Sequence, residues 1–318
     1  MRLYDAAATR ERLPFPALID TLRRAFVEGA EVPPRQIHRI DGDPPGSLLI
    51  MPAWRTGRRL GVKTVTVFPG NTAQGNSALH AVYTLFDASS GVPIAQIDGH
   101  ELTVRRTAAA SALAASALAR PDAAPLLVVG AGAVAGVLPE AMRAVRPIRR
   151  VHVWNHRAER AEALAATWRD EGLDATAVVD LASAVREADI VSCATLSTGA
   201  LVRGEWLAPG AHLDLIGSFS PQMREADSDC FARASVWVDH AEAIERSGDL
   251  VEARHDGVFD AAALRGTLAD LAHGRTGRTS DTQITLFKSV GHAIEDLAAA
   301  ELVVDAPVRS RTVRLYWE

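Results

Sequence analysis

The sequence predicts an α/β protein: a doubly wound parallel sheet inserted in a second unit of α+β type. Three observations lead there. An apolar run, Leu126 to Val129, stops at the glycine loop Gly130-Ala131-Gly132-Ala133-Val134-Ala135-Gly136, which opens a helical pattern. From 125 to 290, short apolar runs keep alternating with helical stretches, the layout of a parallel sheet with helices between its strands. Before 118 the runs follow one another through turns instead.

The chain opens with an amphipathic helix over 14–30, where Leu18, Leu22, Ala25 and Phe26 fall at helical spacing. Pro33 and Pro34 force an extended stretch containing Arg35. Strands are expected over 47–51, 60–68 and 78–86, and a hairpin turn at 87–91 leads to another over 92–97. Thr103 to Thr107 leads into an alanine-rich helix over 108–119. The inserted unit then reads as strands over 151–154, 175–179, 190–195, 212–217 and 235–239, with helices over 157–168 and 181–187. A long helix over 285–302 is expected to pack back on the first unit. The domains predicted are therefore 1–118 plus 291–318, and 119–290.

Each residue of the glycine loop has a physical reason. Gly130 allows a tight turn off the strand, and Gly132 lets a pyrophosphate approach the backbone. Ala135 or Gly136 allows close helix–strand packing. The N–H groups that open the helix, around Ala133 and Val134, are free for phosphate. This is a Rossmann dinucleotide-binding pattern. The residue after its second strand reads the adenosine ribose, and here it is Asn155 rather than a carboxylate, followed by His156 and Arg157. Nothing there repels a 2′-phosphate and a guanidinium is at hand, so NADP(H) is the preferred cofactor, with NAD(H) possible. The bland alternative is a solvated Arg157 that starts a helix.

A net charge of −5 argues against a nucleic-acid surface. No run is long enough to span a membrane, and the first residues lack an apolar leader. The two cysteines, Cys193 and Cys230, lie far apart without metal spacing, so neither metal nor disulfide is expected and the cytoplasm is the default compartment.

Segments spread over the chain resemble the ornithine cyclodeaminase/mu-crystallin family. They are Gly61-Val62-Lys63-Thr64, Leu102 to Ala109, the glycine loop, and Phe287 to Gly291 with Glu295-Asp296. Ser192 to Thr198 and Gly217 to Glu225 look like its branch of cyclic ketimine reductases. The resemblance implies that Lys63 and Arg106 hold a substrate carboxylate, with Arg35 a third candidate and Gly291 beside them. It implies a cofactor surrounded by Thr107, Ala133, Val134, Asn155, Thr195, Ile216, Gly217, Met223 and Ser289. Bidentate arginine geometry suits a carboxylate, and a cation at a helix start, as Arg106 is read here, sits badly with the dipole unless it serves a ligand.

One departure separates chemistries. Where cyclodeaminases carry an Asp that works on substrate amines, this chain has Phe219, and Met223 replaces a Lys. A phenyl ring moves no protons. The expectation is NAD(P)H-dependent reduction of pyrroline-2-carboxylate or piperideine-2-carboxylate to L-proline or L-pipecolate. The iminium carbon takes hydride with little acid–base help. Alternatives are alanine or another amino-acid dehydrogenase, ornithine cyclodeaminase, or a non-catalytic binder. The partner is a small cyclic imino acid. A homodimer is expected as well, because the first unit's strands read as lacking helical cover of their own and because the resemblance implies one.

Overall fold

The computed structural model describes residues 1–74 and 77–306, so the last twelve residues of the expected 291–318 segment lie outside the described residues. The first part holds β1 (Arg2–Tyr4), α1 (Ala6–Arg12), α2 (Phe15–Glu28), β2 (Gln36–Ile40), β3 (Gly46–Arg55), β4 (Arg59–Val67), β5 (Leu79–Asp87), β6 (Pro93–Asp98) and α3 (Gly99–Leu118). Next come β7 (Pro125–Val129), α4 (Ala133–Arg143), β8 (Arg150–Trp154), α5 (Ala158–Asp170), β9 (Asp174–Ala177), α6 (Leu181–Glu187), β10 (Ile190–Cys193), β11 (His212–Leu215), α7 (Ser228–Arg233) and β12 (Ser235–Val238). The chain continues with α8 (Ala243–Arg246), α9 (Gly248–His255), β13 (Gly266–Thr267), α10 (Leu268–Ala272), β14 (Thr285–Lys288) and α11 (Ala293–Asp305).

Two sheets result. One has six strands in the order β1-β6-β5-β4-β3-β2, antiparallel except where β1 joins β6. The other has eight strands in the order β13-β12-β14-β11-β10-β7-β8-β9, and every pairing in it is parallel. Chain order reverses across β7, because β8 lies on one side of it and β10 on the other. The glycine loop follows β7 and so opens at the switch point where such sheets bind ligands. The doubly wound expectation holds.

Two readings are corrected. The expected helix over 285–302 is two elements. Thr285–Lys288 is a strand, buried along its length, lying between β11 and β12, and the helix starts at Ala293. A short strand covered on both faces lacks period-2 alternation, so its apolar run resembles a helix turn. Arg106 is also not at a helix start. Helix α3 begins at Gly99, capped by Asp98, whose side chain accepts from the Glu101 N–H. Arg106 lies two turns inside, and the dipole argument for it falls.

Helices α3 and α11 cover one face of the six-stranded sheet, and α11 packs on α2, α3, β3 and β4 as a returning element should. The expectation of no helical cover was therefore wrong for that face. Among the described residues it holds for the other, where register sets Ile50, Trp54, Leu60, Val62, Val82 and Phe86 side by side, none of them buried. Helix α3 touches both sheets, meeting β4 and β5 on one side and β11 and β14 on the other. Its alanines Ala108, Ala109, Ala112, Ala114 and Ala115 are fully enclosed. Both cysteines are free and buried. Among the described residues no helix is long and apolar enough to cross a membrane.

Candidate active site

Strand alternation sends Lys63 from the middle of β4 to the helix-covered face, where it is 2% exposed. Facing it, α3 presents Thr103 and Arg106 three residues apart, on one side of the helix. The first turn of α11 presents Glu295 and Asp296, acids at the favourable end of the dipole. Lys63 Nζ lies 2.8 Å from one Asp296 oxygen and donates to the other at 2.9 Å. Arg106 donates to Glu295 at 2.6 Å, and its Nε lies 2.9 Å from Asp296 without the alignment of a hydrogen bond. The two cations expected to hold a carboxylate thus already share buried carboxylates. Sequence reasoning assigns Glu295 and Asp296 no role; the fold makes them the partners of the cations. Burying two cations demands such partners. Arg106 has five N–H groups, so donors remain for a ligand.

Burial pulls the Lys63 ammonium down to about 8, with Asp296 opposing. Burial also disfavours Arg106 as a cation, but Asp296 and Glu295 outweigh it and hold the guanidinium above its ordinary value. Burial raises Glu295 to about 7. It acts on Asp296 in the same direction, yet Arg106 and Lys63 keep that carboxyl below its ordinary value.

Arg35 reaches the same place from the extended segment before β2. It donates to the carbonyls of Gly291 at 2.7 Å and Val290 at 3.2 Å. Gly291 lies between the two guanidiniums at φ +82°, and a Cβ there would stand 2.9 Å from an Arg106 terminal nitrogen. Asp239, at the end of β12, fixes this loop by accepting from the Val290 and Gly291 N–H groups, both at 2.7 Å. Lys63, Arg106, Arg35 and Gly291 therefore converge as expected.

The glycine loop fits a dinucleotide. Gly130 has φ +119°, and a Cβ on it would strike the Ala194 carbonyl. Gly132 caps α4 with no side chain over the N–H groups, and a Cβ there would meet nothing within 4 Å, so the approach is open. Of the two residues offered for close packing, Ala135 is fully buried, whereas a Cβ on Gly136 would make only an ordinary contact with Leu164. Ala133 is exposed and Val134 half-buried at the same helix start. Asn155 Oδ1 accepts from the Arg157 N–H at 2.9 Å, so it is engaged in a local turn, while the Arg157 side chain is exposed.

Thr195 and Gly217, at the ends of β10 and β11, are joined by a residue with no role in the sequence reading. Glu225 is buried and accepts from the Thr195 N–H and hydroxyl at 2.7 and 2.8 Å and from the Gly217 N–H at 2.6 Å. Its backbone N–H is held in turn by Asp249, which lies 3.7 Å from Lys288. Burial raises Glu225 to about 7. A lysine inside the apolar stretch Leu286-Phe287-Lys288 was the available signal for Lys288, whereas Glu225 follows a polar loop and carries no such signal. Ile216, Met223 and Ser289 are buried in the same region, Thr107 is half-buried beside Arg106, and Phe219 is 46% exposed. Among the described residues the single cluster with metal-like spacing is Glu252, His255 and Asp256, mostly exposed.

The chain matches the ornithine cyclodeaminase/mu-crystallin family over residues 5–310. It is 41% identical to the Delta(1)-pyrroline-2-carboxylate reductase of Paracoccus denitrificans over 283 residues, covering 88% of this chain and 90% of that one. Its fold is similar to that of the Thermococcus litoralis Delta(1)-pyrroline-2-carboxylate reductase in complex with NADH and L-proline, with TM-score 0.90 and 31% identity over 96% of each chain. An archaeal alanine dehydrogenase dimer with bound NAD is similar at TM-score 0.88 and 28% identity, covering 96% of this chain and 95% of that one.

Proposed function

The chain belongs to the ornithine cyclodeaminase/mu-crystallin family, and we propose that within it the protein is an NAD(P)H-dependent reductase of cyclic ketimines. It converts pyrroline-2-carboxylate or piperideine-2-carboxylate to L-proline or L-pipecolate. The observation that carries this is the meeting of Lys63 and Arg106 on Asp296, and of Arg106 and Arg35 at Gly291, one turn past the parallel strand β14. The likeness to two reductases of pyrroline-2-carboxylate supports it.

The glycine loop and the start of α4 hold the dinucleotide, which supplies hydride when bound. Lys63 and Arg106 orient the substrate by its carboxylate, and Arg35 closes the third side. Asp296 keeps both cations in place and charged. Glu225 fixes the ends of β10 and β11, where Thr195 and Gly217 bound the reacting face. The iminium nitrogen already carries positive charge, so positioning is the chief task of these residues.

NADP(H) is the preferred cofactor on this reading, because Arg157 is exposed where the ribose phosphate would lie and no acid follows β8. The uncovered apolar face of the six-stranded sheet supports a homodimer, with 1–118 and the C-terminal segment from 291 as the substrate and dimerisation unit and 119–290 as the nucleotide unit. Free buried thiols suit the reducing cytoplasm. The likeness to an alanine dehydrogenase favours one second reading, amination of pyruvate. Oxidation of NADPH and of NADH with each ketimine, and with pyruvate plus ammonia, separates the two. Reaction with pyruvate and ammonia alone would overturn the reductase reading.

A further inference from the structure

We propose that His292 recognises the ring nitrogen of the substrate, its Nδ1 accepting the N–H of the cyclic iminium. The inference rests on the reductase reading above. In a cyclic ketimine the nitrogen and the carboxylate hang on the same carbon. Whatever holds the nitrogen must therefore lie beside the cations that hold the carboxylate. His292 directly follows Gly291, which Arg35 grips through its carbonyl and Arg106 approaches from the other side.

A cavity of about 20 Å³ opens there among Arg35, Met51, His240, Glu242, Gly291 and His292. That is room for about one water-sized group. Two of its lining residues carry a polar atom that the protein leaves unmatched: His292 Nδ1 and His240 Nε2 are both buried without a hydrogen-bond partner. Buried polar atoms are rarely left so, and a ligand that completes them accounts for the exception. Of the other acceptors nearby, Asp296 faces Lys63 and Arg106, Glu242 faces Arg246 at 2.8 Å and Asp239 accepts from the Val290 and Gly291 N–H groups, while Glu295 gives one oxygen to Arg106 and keeps the other, Oε1, buried without a partner.

His292 is held as a rigid acceptor. The His240 ring lies against it with centroids 4.5 Å apart and planes 36° apart. Asp239 fixes the two residues before it through their N–H groups. Burial, and after it His240, lowers His292 to about 4 against the pull of Asp239, Glu242 and Asp296, so the ring is neutral at pH 7. One ring nitrogen then carries hydrogen and the other a lone pair. Reduction adds hydride to the iminium carbon and turns C=N–H⁺ into an amine that keeps its hydrogen. The second hydrogen on nitrogen comes from water after the step, and His292 neither gains nor loses a proton.

The test compares two planar acids on the enzyme with NADP⁺ present. Pyrrole-2-carboxylate offers an N–H where furan-2-carboxylate offers an oxygen. Titration calorimetry should show the wild type binding the pyrrole at least about tenfold more tightly, the size of one hydrogen bond gained and one repulsion avoided. In H292L the ratio should fall to within about twofold, and kcat/KM for the ketimine should fall at least about tenfold. H292N, whose amide oxygen can stand in for Nδ1, should restore most of both. A ratio that survives in H292L and in H292F, or an H292N that behaves as H292L does, overturns the proposal. A wild type that reduces neither ketimine fails the reductase reading instead, while the pyrrole-to-furan ratio still reports on the nitrogen acceptor.

Discussion

Replacing Asp296 with Asn removes the one charge that Lys63 and Arg106 share and leaves the shape almost unchanged. The carboxylate lies 2.8 Å from Lys63 Nζ and 2.9 Å from Arg106 Nε, and all three side chains are buried. Removing one partner from a buried ion pair costs about 3–5 kcal/mol. At about 2 °C or more per kcal/mol for a chain of this size, the melting temperature should fall by at least about 6 °C. The loss should also depend on pH. Lys63 titrates near 8 in the folded protein against an ordinary 10.5, so its burial as an ammonium costs stability, and that cost is relieved as pH rises from about 8 to 10.5. Without Asp296, the main influence holding it up, Lys63 falls further and its cost below pH 8 grows. The gap in melting temperature between variant and wild type should therefore narrow from pH 7 to pH 10. In activity, the alkaline limb of kcat/KM should shift to lower pH in Asp296→Asn. Ionisation of the imine itself would give a limb that ignores the variant. A limb that stays in place, with a melting temperature within about 2 °C of wild type, would refute the shared-charge argument.

Three further outcomes are expected. Lys63→Ala and Arg106→Ala should each lower ketimine reduction on the order of a hundredfold, since a lost carboxylate-binding charge costs roughly 2–5 kcal/mol, and ornithine should not be turned over with NAD by the wild type; near-normal rates in both variants would count against the clamp. Arg157→Ala should raise the Michaelis constant for NADPH while sparing NADH, and equal losses would dispose of the phosphate reading. Light scattering at micromolar concentration should give a dimer mass, and Val62→Asp on the uncovered sheet face should give a monomer; a wild-type monomer would sink the assembly proposal.

The layout of the nucleotide unit was legible because each cue was local: glycines after an apolar run, then strand and helix in turn. Four of the first sheet's six strands, β3 to β6, were legible for the same reason, down to the hairpin at 87–91, whereas β1 and β2 were not read as strands. What was not legible depended on contacts distant in sequence. Thr285 to Lys288 shows no strand period, because helices and neighbouring strands bury both of its faces. The start of α3 was set nine residues late, because Asp98 caps a first turn containing Gly99 and His100, both weak helix formers. Lys63 and Arg106 could be nominated as cations. That they share Asp296, 233 residues from Lys63, follows only from the return of α11. Glu225 escaped notice because an acid after a polar loop reads as solvated, whereas the fold turns it inward to tie Thr195 to Gly217.

The alanines of α3 act as a gauge. A helix clad in methyl groups lets backbone come close on both sides, and α3 does so against both sheets, with Ser111 fastened to Asp214 of β11 at 2.9 Å. The same rod carries Arg106, two turns in from its start. The distance from Arg106 to the ends of β10 and β11, the proposed carboxylate clamp and the proposed nicotinamide site, is therefore ruled by the thickness of an alanine. A valine or leucine in that layer would act as a shim, spreading the two sheets, stretching the Ser111–Asp214 contact and, on the proposed reading, lengthening the gap a hydride crosses.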